Sequence, residues 1–126
     1  MRADPPTDSV AWGPLAIVEP AQGYSQALLT GRLRFDDECV VLEAADSRRY
    51  LVVWPAGRVA WDATTQMIRF TTLGGRTVDL LNGSEVRLGG GGQSVGEGAI
   101  ADGKWVVPPH SSCPTAALWW VGEVDL

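Results

Sequence analysis

Apolar and polar residues alternate with a period of two along much of the chain. The segment 29–35 (LTGRLRF) places Leu, Gly and Phe on one face and Thr and Arg on the other. This is the pattern of a β-strand with one face on a core and one face in water. The segment 66–71 (QMIRFT) alternates in the same way, and a last strand is expected at 117–124 (ALWWVGEV), where the even-numbered residues lie opposite the odd-numbered ones.

Of two neighbouring strand segments, the first is apolar on both faces. Residues 38–44 (ECVVLEA) follow a short acidic turn, and residues 49–54 (RYLVVW) follow the turn at 45–47 and end before Pro55. A strand that is apolar on both faces lies in the middle of a sheet. Short turns connect the three consecutive strands between residues 29 and 54, so we predict that they form an antiparallel meander.

The rest of the chain predicts more short strands and very little helix. No window carries the i, i+3, i+4, i+7 stripe of an amphipathic helix, and at most one or two helical turns are expected near 21–29 or 111–117. Short strands about ten residues apart predict an all-β fold, a single small closed or partly open antiparallel β-barrel of five to seven strands, OB-like or SH3-like. The further strands are expected at 59–61, 76–81, 84–88 and 105–107, with a strand or extended lead-in within 10–20.

The domain organisation follows from the length of 126 residues. One domain fits this length and a second does not. Residues 1–9 are polar and proline-rich, which predicts a flexible N-terminal tail, and residues 10–126 form the single barrel domain.

Glycine supplies the expected turns. Asn82-Gly83 predicts a type I′ hairpin, because both residue types accept positive φ. Gly31, inside a strand, predicts the coiling that lets a small barrel close. The run Gly89–Gly92 opens an irregular stretch to about residue 101, and either lets two strands pass closely or forms a mobile loop.

The charge balance disfavours polyanionic partners. Ten Lys and Arg against fifteen Asp and Glu give a net charge of −5, and the basic residues are scattered. Nucleic acids and anionic membrane surfaces are bound by concentrated positive charge. No apolar stretch is long enough to span a membrane and no signal-peptide core follows Met1, although the first nine residues are typical of a tail behind a removed leader.

Cys39 and Cys113 are the two cysteines. Neither has partners at zinc-ligand spacing, so no metal site is expected. They form either a disulfide or two buried thiols, and the Pro-flanked loop around Cys113 favours the disulfide.

A G-x-S-x-G pattern at 92–96 centres on Ser94 and is followed by Asp102 and His110. A nucleophile elbow needs a strand before it and a helix after it, and no helical pattern follows here. A glycine loop is the preferred interpretation, and a small hydrolase using Ser94 or a carboxylate is the third functional hypothesis. No Lys follows the glycines as a phosphate loop requires, and no cofactor is expected.

His110 and the acidic cluster 36–38 have ordinary interpretations. The single histidine is expected to be exposed in a loop, since a thiol nucleophile would need Cys113 unpaired. The carboxylates lack calcium-loop spacing and are expected to form a polar turn.

The tryptophans carry the main binding hypothesis. Adjacent Trp119 and Trp120 must point to opposite faces of their strand. Packing explains most of the six tryptophans, but an exposed indole often marks a sugar or protein contact. Trp61, Trp119 and Trp105 are the candidate binding residues, with Trp61 and Trp119 expected to be the most exposed.

A recurrent arrangement links the segments 38–42 (ECVVL), 50–57 (YLVVWPAG), 86–92 (VRLGGGG) and 118–121 (LWWV) with Cys113. Over about residues 27–124 it resembles small β-barrel domains of GC-rich bacteria that have no assigned function, several of them exported or lipid-anchored. The resemblance implies an envelope location and a Cys39–Cys113 disulfide, and it brings no catalytic residues.

Three functions therefore stand as expectations. The first is a non-enzymatic binding or structural module of the bacterial cell envelope, outside the cytoplasm, that contacts a protein or an envelope component. The second is an OB-like module that binds a nucleotide or single-stranded nucleic acid, and the third is the hydrolase.

Overall fold

The structure, a computed structural model, describes residues 13–19, 27–36, 38–45, 47–94, 105–110, 112–113 and 117–125. These ranges contain ten strands and no helix, so the predicted all-β class is confirmed. The strands are β1 (Ala16–Val18), β2 (Ala27–Phe35), β3 (Val40–Ala44), β4 (Arg49–Pro55), β5 (Val59–Asp62), β6 (Met67–Thr71), β7 (Thr77–Leu80), β8 (Glu85–Ser94), β9 (Trp105–Val107) and β10 (Ala117–Asp125).

Five of these strands close into a barrel. β2, β3 and β4 form the predicted antiparallel meander, β8 pairs antiparallel with β2, and β10 pairs antiparallel with β8. The barrel closes because β10 also pairs with β4, with Trp119 opposite Val52. This closing pair is parallel, whereas the other four are antiparallel as predicted. The small closed barrel expected from the sequence is confirmed.

The remaining five strands lie outside the barrel. Two of them continue the sheet beside β4, and the other three form a second sheet that packs on the barrel. β1 pairs in parallel with the end of β4, and β9 pairs antiparallel with β1. β5, β6 and β7 form a separate antiparallel sheet inserted between the third and fourth barrel strands. Ile68, Phe70 and Leu80 of this sheet are fully buried against residues of the barrel strands.

Alternation along the strands produces two apolar clusters. In β4, Val52 and Trp54 belong to one cluster, while Leu51 and Val53 belong to the other. The first draws side chains from all five barrel strands, so it is the interior core. The second, which we call the outer cluster, lies on the opposite face of β3, β4 and β10. Its buried members are Val18, Cys39, Leu51, Val53, Cys113 and Leu118, and Val41, Trp105 and Trp120 pack against them.

Two glycines allow barrel strands to approach closely. A Cβ atom at Gly31 would collide with the carbonyl oxygen of Glu43 on β3, and one at Gly90 would collide with the carbonyl oxygen of Trp120 on β10. Gly89–Gly92 lie within β8 and pair with β10, so the irregular stretch predicted from residue 89 is wrong for these positions. The alternative expectation, that the glycines let two strands pass closely, agrees with this pairing.

The turn at Asn82-Gly83 differs from its prediction. It joins β7 to β8, which lie in different sheets, so no hairpin forms there. Gly83 has a φ of +90° but Asn82 does not have a positive φ, so the turn is not type I′. The Asn82 side-chain oxygen accepts a hydrogen bond from the backbone N–H of Phe35 (3.0 Å), and the Gly83 N–H donates to Leu33 (2.8 Å). These bonds to β2 replace the hairpin ladder.

Arg58 fastens the three-stranded sheet to the barrel. Its guanidinium donates to the carbonyl oxygens of Thr71 (3.0 Å) and Gly122 (2.8 Å) and to the carboxylate of Glu123 (3.0 Å). It also lies 4.8 Å from the centre of the Phe70 ring. One partly buried side chain therefore joins two sheets by charge-assisted hydrogen bonds, which are among the stronger kinds in proteins.

Some expectations fall outside the described residues: the flexible tail 1–9, the loop 21–26, the stretch 95–104, and most of the two segments where a helical turn was expected. Within the described ranges, no helix is long and apolar enough to cross a bilayer.

Candidate functional site

The three tryptophans proposed as binding residues lie in three different surroundings. Trp119 points into the barrel, is 6% exposed, and packs edge-on against Tyr50 with ring centres 6.0 Å apart. The expectation that Trp119 is exposed is therefore wrong. The physical reason is the register of β10, which places Leu118 and Trp120 on the outer face instead. The prediction that Trp119 and Trp120 face opposite ways is confirmed.

Trp61 lies on β5 and is half-buried. Its ring meets Phe35 edge-on, with centres 5.9 Å apart. Gly13 lies directly against the indole, since a Cβ atom there would collide with it. Trp61 therefore helps to pack the three-stranded sheet and the segment before β1 against the barrel, and its role as a binding residue stays a prediction.

Trp105 forms an aromatic pair with Trp120 on the outer face of the barrel. The ring centres are 5.9 Å apart and the planes are tilted by 30°. Both side chains are half-buried, packed on one side against the outer cluster. Val106, next along β9, is 37% exposed. We call the surface formed by Trp105 and Trp120 the aromatic face.

A disulfide between Cys39 and Cys113 lies in the outer cluster, and the predicted bond is confirmed. It joins the loop after β2 to the segment before β10. Asp36 fixes that loop, because its carboxylate accepts hydrogen bonds from the backbone N–H groups of Glu38 (2.8 Å) and Cys39 (2.7 Å). The loop and the last barrel strand are thus tied together beside the aromatic face.

A polar network, formed by Glu38, His110 and Ser112, lies beside this disulfide. His110 Nε2 is 2.7 Å from one Glu38 carboxylate oxygen, and the Ser112 hydroxyl donates to the other (2.9 Å). The backbone N–H of Ser112 donates to His110 Nδ1 (3.1 Å). Because Nδ1 is an acceptor, Nε2 carries the proton and donates it to Glu38. His110 is exposed in a loop, as predicted.

Sequence reasoning did not find this network as a unit. The acidic cluster 36–38 was expected to be a polar turn and His110 an isolated side chain. The signal that could have joined them is position: Glu38 precedes Cys39 and Ser112 precedes Cys113. A disulfide between the cysteines brings together the two loops that carry these residues.

The hydrolase residues do not form an elbow in the described part of the chain. Ser94 is the last residue of β8 and pairs with Ala117, so the middle of the G-x-S-x-G pattern lies in a strand. Asp102 lies outside the described residues, and His110 is engaged by Glu38 and Ser112. The described residues contain no cluster of three or more potential metal ligands.

An open groove of about 480 Å³ lies on a different part of the surface. Its charges are arranged in pairs, with Arg32 bound to Glu85 (3.2 Å) and Arg87 bound to Asp125 (2.8 Å). The pKa of Glu43 is lowered below its ordinary value of 4.5, and the main cause is a hydrogen bond from the Arg34 side chain. Charges of both signs therefore alternate along the groove. It is lined by Thr30, Gly31, Arg32, Glu43, Ala45, Glu85, Val86, Arg87 and Asp125.

Comparison of the chain with protein-family models, with curated proteins and with solved structures finds no match.

Proposed function

We propose that this chain is a non-enzymatic binding module of the bacterial cell envelope, with an OB-like barrel that contacts a protein or another envelope component through its aromatic face. The observation that carries the proposal is the half-buried Trp105–Trp120 pair on the outer face of the barrel. Half-buried tryptophans combine a large apolar area with a polar tip, which makes them frequent contact residues.

The strand order supports the choice of this face. A three-stranded meander, followed by two strands of which the last pairs in parallel with the third, is the order expected for an OB-like barrel. Such barrels bind ligands on the face of their second and third strands and on the two loops beside it. In this chain those strands are β3 and β4, and the aromatic face packs on the outer cluster to which both strands contribute side chains.

The disulfide supports a location outside the cytoplasm. Disulfides persist in oxidising compartments and are rare in the reducing cytoplasm. Cys39 and Cys113 are both nearly inaccessible in the outer cluster, as expected for a bond that is part of the folded structure.

A nucleotide or single-stranded nucleic acid is the second candidate, since the same barrel order also serves that function. The charges favour the first proposal. Six arginines of the described ranges form ion pairs with carboxylates, which neutralises the charge that a phosphate backbone would need. They are Arg32, Arg34, Arg49, Arg58, Arg69 and Arg87.

Sedimentation with insoluble envelope material tests the proposal. We expect the oxidised chain to sediment with cell-wall and membrane fractions of a GC-rich bacterium, and Trp105→Ala to sediment much less. Leu28→Ala, which truncates an exposed side chain on β2, is the matched control and should behave like the wild type. Equal sedimentation of all three proteins would contradict the proposal, and so would salt-sensitive micromolar binding to oligo-dT that needs Trp105.

A further inference from the structure

We propose that the ligand of the aromatic face is an uncharged oligosaccharide, a conclusion that rests on the proposed function above. The observation behind it is that two indoles tilted by 30° pack on the outer cluster, while a network of hydrogen-bonding side chains adjoins the disulfide of that same cluster. A pyranose ring needs both, because it has an apolar face of C–H groups and a rim of hydroxyl groups.

The geometry of the tryptophan pair suits the apolar face of a sugar. The planes of Trp105 and Trp120 are tilted by only 30°, whereas the other aromatic pairs are tilted by 57° to 81°. Those pairs fill space within the interior core, where edge-to-face packing is favourable. The Trp105–Trp120 pair lies on the outer cluster instead, where the exposed part of each half-buried ring can contact a ligand. The C–H groups of a sugar carry partial positive charge, which the negative face of an indole attracts.

The network of Glu38, His110 and Ser112 suits the hydroxyl rim. A carboxylate has about four lone-pair sites, and the Glu38 carboxylate receives one bond from His110 and one from Ser112. It therefore keeps capacity to accept hydrogen bonds from hydroxyl donors. The Glu38 and His110 side chains are 44% and 49% exposed, so a ligand can reach them. The disulfide holds this network beside the outer cluster on which the indoles pack.

The small apolar area favours a sugar over a protein. A stable protein interface buries about 800 Å² on each partner. Of the exposed large apolar side chains in the described ranges, only Val106 is even a chain neighbour of an aromatic-face residue. Leu28, Leu73 and Leu81 lie on β2, on the turn before β7 and on the turn after it. One or two sugar rings match such a surface better than a protein footprint does.

The charges favour a ligand without acidic groups. Glu38 brings a negative charge to the site, and the chain carries a net charge of −5. A sulfated or phosphorylated glycan would meet repulsion of like charges. A neutral glycan meets none and can still donate its hydroxyl hydrogens to the carboxylate.

The probe is the tetramer of β-1,4-linked N-acetylglucosamine, titrated into the oxidised full chain while tryptophan fluorescence and heat are recorded. We expect saturable binding that Trp105→Ala weakens at least tenfold and Leu28→Ala leaves unchanged. Glu38→Gln keeps the shape of the side chain but removes its charge and one acceptor, so we expect a loss of several fold. Because Glu38→Gln leaves the apolar packing intact, it tests the site even if Trp105→Ala perturbs the fold. Binding that none of these variants alters, or tighter binding of a sulfated tetrasaccharide, would overturn the inference.

Treatment of the envelope material separates this inference from the proposed function. Sedimentation that survives protease digestion, disappears after glycan hydrolysis and is competed by the tetramer supports an oligosaccharide. Sedimentation that needs Trp105 but disappears after protease digestion overturns the oligosaccharide and leaves a protein-binding module. Sedimentation that does not need Trp105 refutes both.

Discussion

Removal of the disulfide should cost the fold a large part of its stability. The bond between Cys39 and Cys113 closes a loop with a sequence separation of 74 residues. Opening a loop of that length raises the entropy of the unfolded chain, which corresponds to about 4.5 kcal/mol at 25 °C in the chain-entropy treatment. Domains of this size are stable by about 5–15 kcal/mol in total. The double variant Cys39→Ala/Cys113→Ala should therefore stay folded but lose about 4 kcal/mol or more.

Urea unfolding of the oxidised wild type, the reduced wild type and the double variant measures this loss. With an m-value of about 1.5 kcal/mol/M, the midpoint should fall by about 3 M. Alanine is preferred to serine because both cysteines are buried, and a serine hydroxyl would add an unpaired polar group. The reduced wild type is the internal control, since it loses the cross-link without losing either side chain. Thiol titration in denaturant should find no thiol before reduction and two after it.

The disulfide is separate from the strand pairs that close the barrel, so its loss should destabilise the fold without changing it. The strand pairs that close the barrel do not involve Cys39 or Cys113, so the circular dichroism of the folded double variant should match that of the wild type. A loss below about 1 kcal/mol, with the fold intact, would mean that the unfolded chain is already restricted without the bond. Complete unfolding without urea would mean instead that the outer cluster is needed for the barrel to form.

Four further changes should have graded effects, each measured by urea unfolding. Arg58→Ala removes three partly buried hydrogen bonds, two of them to β10 of the barrel, and should cost about 2 kcal/mol, whereas an unchanged midpoint would contradict the fastening role. Trp119→Ala should cost about 3–5 kcal/mol and Trp119→Phe clearly less, because a cavity in the interior core is the cause. Gly90→Ala should cost at least about 2 kcal/mol, since a methyl group would strike a backbone carbonyl. The pKa of Glu43 is lowered in the folded protein, so this carboxylate stabilises the fold above about pH 4.5, and that stabilisation is lost as the pH falls through the lower folded-state pKa. Glu43→Gln should therefore make the free energy of unfolding depend less steeply on pH in the acid range. An unchanged pH dependence would refute the stabilising role of Glu43.

Most strand positions could be predicted from the sequence because each is defined by neighbouring residues. The alternation in 29–35 and the two-sided apolar segment 38–44 are local properties, and both segments form strands at nearly the expected bounds. The central position of β3 followed from its lack of a polar face. Local patterning is reliable here because a strand that buries one or both faces must show it in its own residues.

The partners of the strands could not be predicted in the same way. Asn82-Gly83 carries a strong local hairpin signal, yet its bonds go to Leu33 and Phe35, about 50 residues earlier. The glycines 89–92 lack the side chains from which patterns are recognised, and their strand exists because β10 pairs with them. Both errors have one physical cause, namely that pairing across long sequence separations is decided by tertiary contacts.

The same limit explains which parts of the candidate site were found. The disulfide and the opposed faces of Trp119 and Trp120 follow from residue types and from the geometry of a strand. Which of the two indoles faces outward depends on the register of β10 against β4 and β8, and a shift of one residue would exchange them. Trp120 was therefore not among the candidate binding residues, although it forms half of the aromatic face.

Because the interior core and the proposed binding face use alternate residues of β10, folding and the proposed binding can be tested separately. Trp119 fills the interior core, while its neighbour Trp120 lies on the aromatic face. A conservative change at Trp119 should therefore lower the free energy of unfolding and leave ligand affinity nearly unchanged in the folded protein. The same change at Trp120 should weaken ligand binding and change the free energy of unfolding only a little, because the Trp120 side chain is half-buried. If both changes affected stability and affinity in equal proportion, the outer face would be part of the folding core, and the binding face would have to be sought elsewhere on the barrel.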